Sequence, residues 1–148
     1  MSRNHENEQL VRRVMDEGFS QGRLEVIDKL FAPDAIEHQF RGGGQPQSGP
    51  EGVKAVISGL RASFPDLQYA IEGLISDDDK VWFRMIGRGL PNLGPCVGRP
   101  AIGQSIAIDV IDIVRIKDGL IVEHWGVPDR LGAMMQMGIL GRPHERGT

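Results

Sequence analysis

The hydrophobic period of this chain changes once, near Pro65-Asp66, and no other feature limits the fold as strongly. Before that point apolar residues recur mainly at helical spacing; after it they alternate, which is the period of a half-buried strand. Between Glu8 and Phe19, Leu10, Val11, Val14, Met15, Gly18 and Phe19 form a helical stripe that ends around Gly18 and Gly22. Leu24, Ile27, Leu30 and Phe31 share a face of a second short helix, closed by Pro33-Asp34. One short exception interrupts the helical half. From Ala35 to Phe40 the residues Ile36, His38 and Phe40 point one way and Glu37 and Gln39 the other, as in a strand. Pro50 and Glu51 then suit the first turn of a third helix. Its buried face is Val53, Val56, Ile57, Leu60 and Phe64, and Pro65-Asp66 stops it.

The second half reads as paired strands. Leu67, Tyr69 and Ile71 alternate with polar residues, Asp77 to Lys80 turns the chain, and Val81 to Ile86 continues towards Leu90. Pro91 to Gly103 is a long connection with three prolines and three glycines. Ser105 to Ile116 is the longest strand, Asp118-Gly119 a hairpin turn, and Ile121 to Val127 the return. An amphipathic helix follows from Asp129 to Leu140. Three helices followed by antiparallel hairpins predict an α+β chain, with helices on one face of a curved antiparallel sheet and an apolar pocket inside the cone. No repeat or linker divides residues 1–148, so one domain is expected, with 1–7 and 141–148 as loose tails.

Composition narrows the partners. Seventeen Lys and Arg against twenty Asp and Glu leave a net charge of −3, the wrong sign for a nucleic-acid binder. No apolar run approaches the roughly 20 residues of a membrane span, and Met1 to Glu6 opens without the apolar core of a signal peptide. Cys96 is the single cysteine and cannot form an internal disulfide. A cytoplasmic protein that takes a small hydrophobic molecule is the expectation.

Polar groups at strand positions that should be buried carry the chemical signal, because burial without a partner is costly. Asp112 stands out in Ile108-Asp109-Val110-Ile111-Asp112-Ile113-Val114, sharing a face with Ile108, Val110 and Val114. A carboxyl in apolar surroundings holds its proton more tightly, which suits a general acid or base. The bland alternative is a structural pairing with an arginine or a backbone amide. A strict two-residue hairpin at Asp118-Gly119 sets Trp125 on the Asp112 face and turns His124 away; a one-residue bulge reverses the two. Both therefore remain pocket candidates. His38 is a third candidate for catalysis, against the commoner role of a satisfied core histidine. Trp82 and Arg84 share one face of their strand and are read as holding substrate at the pocket mouth, together with Val110, Trp125 and Phe40, against the commoner role of Trp82 as a core residue. Nothing in the spacing of His38, Asp112 and His124 supports a metal site. The Gly42-Gly43-Gly44 loop lacks the Lys and Ser/Thr of a phosphate cradle, and Cys96 lacks a nearby histidine.

The pattern also resembles a known family. Leu30-Phe31-Ala32-Pro33-Asp34-Ala35-Ile36-Glu37-His38, Gly49-Pro50-Glu51-Gly52-Val53-Lys54 and Phe64-Pro65-Asp66-Leu67 are similar, in order and spacing, to the SnoaL-like polyketide cyclases, or ester cyclases, of the NTF2-like superfamily. The most specific stretch runs from Ile111 through Lys117-Asp118-Gly119 and Glu123-His124-Trp125-Gly126 to Asp129. The resemblance implies an NTF2-like cone-shaped barrel, a homodimer or homotetramer, and cofactor-free ring closure by intramolecular aldol condensation with an aspartate as acid/base. It also places that family aspartate on Gly126, keeps the family histidine at His124 and sets Asp112 where the family has a polar pocket residue. Three readings follow: an acid/base enzyme using Asp112 with His124 and His38, which includes isomerases and dehydratases of the same pocket; a non-catalytic small-molecule binder; and a protein-interaction module.

Overall fold

The computed structural model describes residues 2–39, 49–92 and 103–140. Phe40, Cys96, most of the Pro91–Gly103 connection and the 141–148 tail lie outside them.

Helix α1 spans Arg3–Arg13 and begins where the Ser2 hydroxyl accepts from the His5 backbone N–H, an N-cap. The N-terminal residues expected to be loose are therefore helical from Arg3, and Asn7 is buried. The helix runs on as a π-helical segment, Val14–Ser20. A 3-10 turn at Leu24–Val26 leads into the short helix α2, Ile27–Leu30. Strand β1, Phe31–Glu37, starts earlier than the alternation suggested and contains Pro33 and Asp34, expected to stop a helix. An edge position tolerates Pro33, because β1 is the last strand of its sheet and needs donors on one side only. Helix α3, Gly49–Ser63, carries the predicted stripe, with Ile57 fully buried.

Strands β2 (Gln68–Asp77), β3 (Lys80–Gly89), β4 (Ile106–Lys117) and β5 (Leu120–Pro128) follow, then helix α4, Arg130–Gln136, capped by the Asp129 side chain on the Gly132 N–H. The strand order is β1-β5-β4-β3-β2. Neighbours are antiparallel except β1, which joins β5 in parallel, so the sheet is mixed rather than wholly antiparallel. The β4–β5 turn has φ of +52° at Asp118 and +74° at Gly119, the left-handed pair that a tight hairpin requires.

One face of the sheet is covered. Val11, Val14 and Met15 pack with Val26, Ile27 and Ile57 against Val81, Phe83, Met85, Val110 and Val114. A smaller cluster of Phe64, Leu67, Ile106 and Ala133 closes the α4 end. Between them the curved sheet and the helices enclose a cavity of about 330 Å³.

Candidate active site

Three strands bring a polar cluster into this apolar cavity. On β4, Val110, Asp112 and Val114 face inward, as their alternation predicts. On β5 the pairing begins as a strict ladder, Lys117 with Leu120 and Ile116 with Ile121, then slips by one residue so that Arg115 faces Glu123. Val122 is left as a bulge, and every later β5 residue turns to the opposite face. His124 then pairs with Val114 and faces the cavity, diagonal to Asp112, whose direct partner is Gly126. Of the two registers open in the sequence, this is the bulged one. On β1, the parallel register sets Glu37 beside His124, and Glu37 and, two residues past it, Gln39 point inward.

The His124 ring sits between two carboxylates. Its Nδ1 lies 2.7 Å from Oε2 and 2.8 Å from Oε1 of Glu37, and its Nε2 lies 3.2 Å from Oδ2 of Asp112. Burial taken alone lowers the affinity of the ring for its second proton. The hydrogen bonds and charges of Asp112 and Glu37 outweigh it, and the His124 pKa is raised to about 9. His124 is therefore an imidazolium at neutral pH. Asp112 is 7 % exposed, and its second oxygen, Oδ1, is buried without a hydrogen-bond partner. A buried acceptor without a partner is costly.

Gly126 shapes the space beside that oxygen. A Cβ there would stand 2.6 Å from Asp112 Oδ1 and would collide with Gln39 Oε1. Across the cavity stands Tyr69, its ring lying over the Cα of Gly87, where a Cβ would meet Cε1 at 2.7 Å. Desolvation, and next the charge of Asp112, push the Tyr69 hydroxyl up to about 12, so it stays a neutral donor. Phe19 packs edge-on against it with ring centroids 5.8 Å apart. Arg130 of α4 also lines the cavity. Among the described residues no group of three His, Cys, Asp or Glu side chains is arranged to hold a metal ion.

The structure thus gathers three predicted residues, Asp112, His124 and Val110, and sends four elsewhere. His38 points to the outer face, where its Nε2 meets Glu123 Oε2 at 2.8 Å and its ring stacks on Trp125 at 4.8 Å with 6° between planes. Trp125 left the cavity through the same bulge that brought His124 in. Trp82 and Arg84 also face outward, Arg84 paired with Asp109, while their neighbours Phe83 and Met85 line the cavity. Alternation sorted β1 and β3 correctly but could not say which side is inside: on β1 the polar side, Glu37 and Gln39, is the inner one. Glu37, Gln39 and Tyr69 were not singled out in the sequence. Glu37 and Gln39 carried a signal only as the polar face of an otherwise apolar strand.

Known proteins share this architecture. A model of the SnoaL-like polyketide cyclases matches residues 9–137. The chain is 30% identical over 139 residues to the aklanonic acid methyl ester cyclase DauD of Streptomyces sp. strain C5, covering 87% of this chain and 80% of the relative. It is equally identical over 139 residues to DnrD of Streptomyces peucetius, an enzyme of the same name, covering 87% and 88%. Among solved structures, TsrD from Streptomyces laurentii superposes with a TM-score of 0.79 at 28% identity, over 95% of this chain and 99% of that one. IdmH from Streptomyces antibioticus gives 0.78 at 28%, over 88% and 97%. The α+β cone is the NTF2-like fold of these neighbours, and the chain belongs to the SnoaL-like polyketide cyclase family.

Proposed function

We propose that the protein is an acid/base enzyme that closes a ring in a neutral, hydrophobic polyketide-like carbonyl compound by intramolecular aldol addition. One observation carries this reading: Asp112, on the lining of an apolar cavity, has one oxygen beside the His124 ring and the other buried without a hydrogen-bond partner. In the proposed step the Asp112 carboxylate takes a proton from the acidic carbon between two carbonyls. The resulting enolate attacks a second carbonyl of the same molecule, and Asp112 returns the proton to the new alkoxide. One carbon–carbon bond forms, no atom is lost and no cofactor is required. The Tyr69 hydroxyl supplies a donor in the same cavity for a developing oxyanion, and the His124 imidazolium a fixed positive charge.

The cavity lining is predominantly apolar, so a neutral ester is a better substrate than a free carboxylate. That agrees with the relatives named as methyl ester cyclases. We read the site as acting in the cytoplasm in a homodimer or homotetramer, with no nucleic acid or membrane as partner; no described helix is long and apolar enough to cross a membrane.

The test is incubation with aklanonic acid methyl ester, followed by chromatography for a cyclised isomer of unchanged mass. Asp112→Asn keeps the shape of the side chain and is expected to lower kcat about 10²–10⁴-fold. Wild-type-like turnover in that variant sinks the assignment of Asp112. Binding of the ester without product, by wild type, selects the non-catalytic binder instead.

A further inference from the structure

Glu37 grips His124 more closely than Asp112 does. Both of its oxygens lie within 2.8 Å of Nδ1, whereas the Asp112 contact on Nε2 is a single one at 3.2 Å. An ionised carboxylate can only accept a hydrogen bond. A ring with an ionised carboxylate on each nitrogen must therefore carry a proton on both. Both carboxylates and the ring are largely buried, with side-chain exposures of 18% for Glu37, 10% for Asp112 and 17% for His124. In such surroundings a lone imidazolium would shed its proton unless anions held it.

We propose that Glu37 is a positioning residue: clamped on Nδ1, it keeps the second proton on His124, so that Nε2–H faces Oδ2 of Asp112 and the charge holds that carboxylate in place at the cavity. This rests on Asp112 being the base, and it assigns His124 the work of a fixed cation rather than a proton shuttle. Position follows from charge here. Without the Glu37 carboxylate a neutral ring is free to put its one proton on Nδ1, and Nε2 then repels Asp112 instead of holding it. The backbone supports the assignment, because the parallel register sets Glu37 directly beside His124.

The other groups around the ring do not replace Glu37. Asp112 on β4 is the second anion, Tyr69 on β2 stays neutral, and Gln39, just past β1, is uncharged. Arg130 on α4 is a cation lining the same cavity and opposes a second positive charge. The His38, Glu123 and Arg115 group stands on the outer face of the sheet. Holding the proton favours the folded state below the ordinary histidine value of 6.5, and that contribution disappears as pH rises through about 9.

The experiment is a nitrogen NMR titration of histidine-labelled protein without ligand, with His124 assigned by its loss in His124→Gln. In wild type, both ring nitrogens are expected to stay protonated at pH 8. In Glu37→Gln the midpoint is expected to fall by at least one pH unit, a tenfold loss of proton affinity, and Glu37→Asp to restore part of it. A neutral His124 at pH 8 in wild type overturns the proposal even if Glu37→Gln fails to fold. So does an unchanged midpoint in a folded Glu37→Gln. With substrate, the alkaline limb of kcat/KM should move with the NMR midpoint; a limb that stays while the midpoint moves overturns the link to catalysis. If no ester is turned over by wild type, the enzyme reading falls, while the titration still decides whether Glu37 holds the charge.

Discussion

Gly126 faces Asp112 across the β4–β5 ladder, and the missing side chain leaves room for both the Asp112 carboxylate and the Gln39 amide. The family resemblance sets the cyclases' aspartate at this position. Here the carboxylate nearest that space arrives from the adjacent strand instead, with Oδ1 2.6 Å from where a Cβ at 126 would lie. The two placements exclude each other. Even Gly126→Ala must displace both the Gln39 amide and the Oδ1 side of the Asp112 carboxylate. It is expected to cost about 1–3 kcal/mol of stability by overpacking and to reduce kcat by tenfold or more. Denaturant unfolding and turnover, measured side by side, check this; unchanged kcat would show that the space beside Oδ1 is not used. At this scale the sequence was informative about Asp112, because a carboxylate among alternating aliphatics is visible without a structure. It was silent about Glu37, because a glutamate on a short strand is ordinary until its register with His124 is known.

The register is a property of elements, and one residue decides it. Val122 has no partner on β4, and its insertion turns Glu123 and Trp125 outward and His124 inward. Deleting Val122 restores the strict ladder. Trp125 and Glu123 would then turn towards the cavity, and His124 would join the outer face beside His38. The cluster around Asp112 would be dismantled, and a glutamate would be buried without its present partners, Arg115 and His38. The deletion variant is expected to lose turnover and to unfold at lower denaturant, by roughly 2–4 kcal/mol. Full activity in it would show that His124 is dispensable. The strands and helices themselves were largely legible, since period, prolines and the Asp118-Gly119 turn mark them locally. The bulge was not, because nothing local distinguishes Val122 from its neighbours. The parallel seating of β1 was equally hidden, since it depends on where the chain returns after three other strands.

Seen as a whole, the molecule has one face packed around the cavity and another without a helix over it among the described residues. On that outer face a row runs across four strands: Ile75 beside Trp82, Trp82 beside Ile113, Ile113 beside Trp125, with His38 stacked on the last. A second row joins Arg84, Ile111 and Val127. Ile75 is 71% exposed and Val127 72%, high values for aliphatic side chains on sheet strands. Contiguous exposed apolar surface of this kind marks an interface. The ion pairs on this face, Arg84 with Asp109 and Arg115 with Glu123, set both signs of charge beside the apolar rows. A surface carrying both signs can match itself under a two-fold rotation, as an isologous dimer demands. A second copy of the chain is thus the occupant that the proposed homo-oligomer requires here. Sedimentation velocity at micromolar concentration should give at least twice the chain mass of 16.3 kDa. The double variant Trp82→Glu, Ile111→Glu places a charge in each row, on the face of the sheet opposite the cavity, and is expected to sediment as a monomer with His124 still protonated. A wild-type monomer would sink the oligomer. A variant that stays dimeric would move the interface off this face, and one that loses the His124 charge on dissociating would show that the partner subunit stiffens the sheet on which the cluster is built.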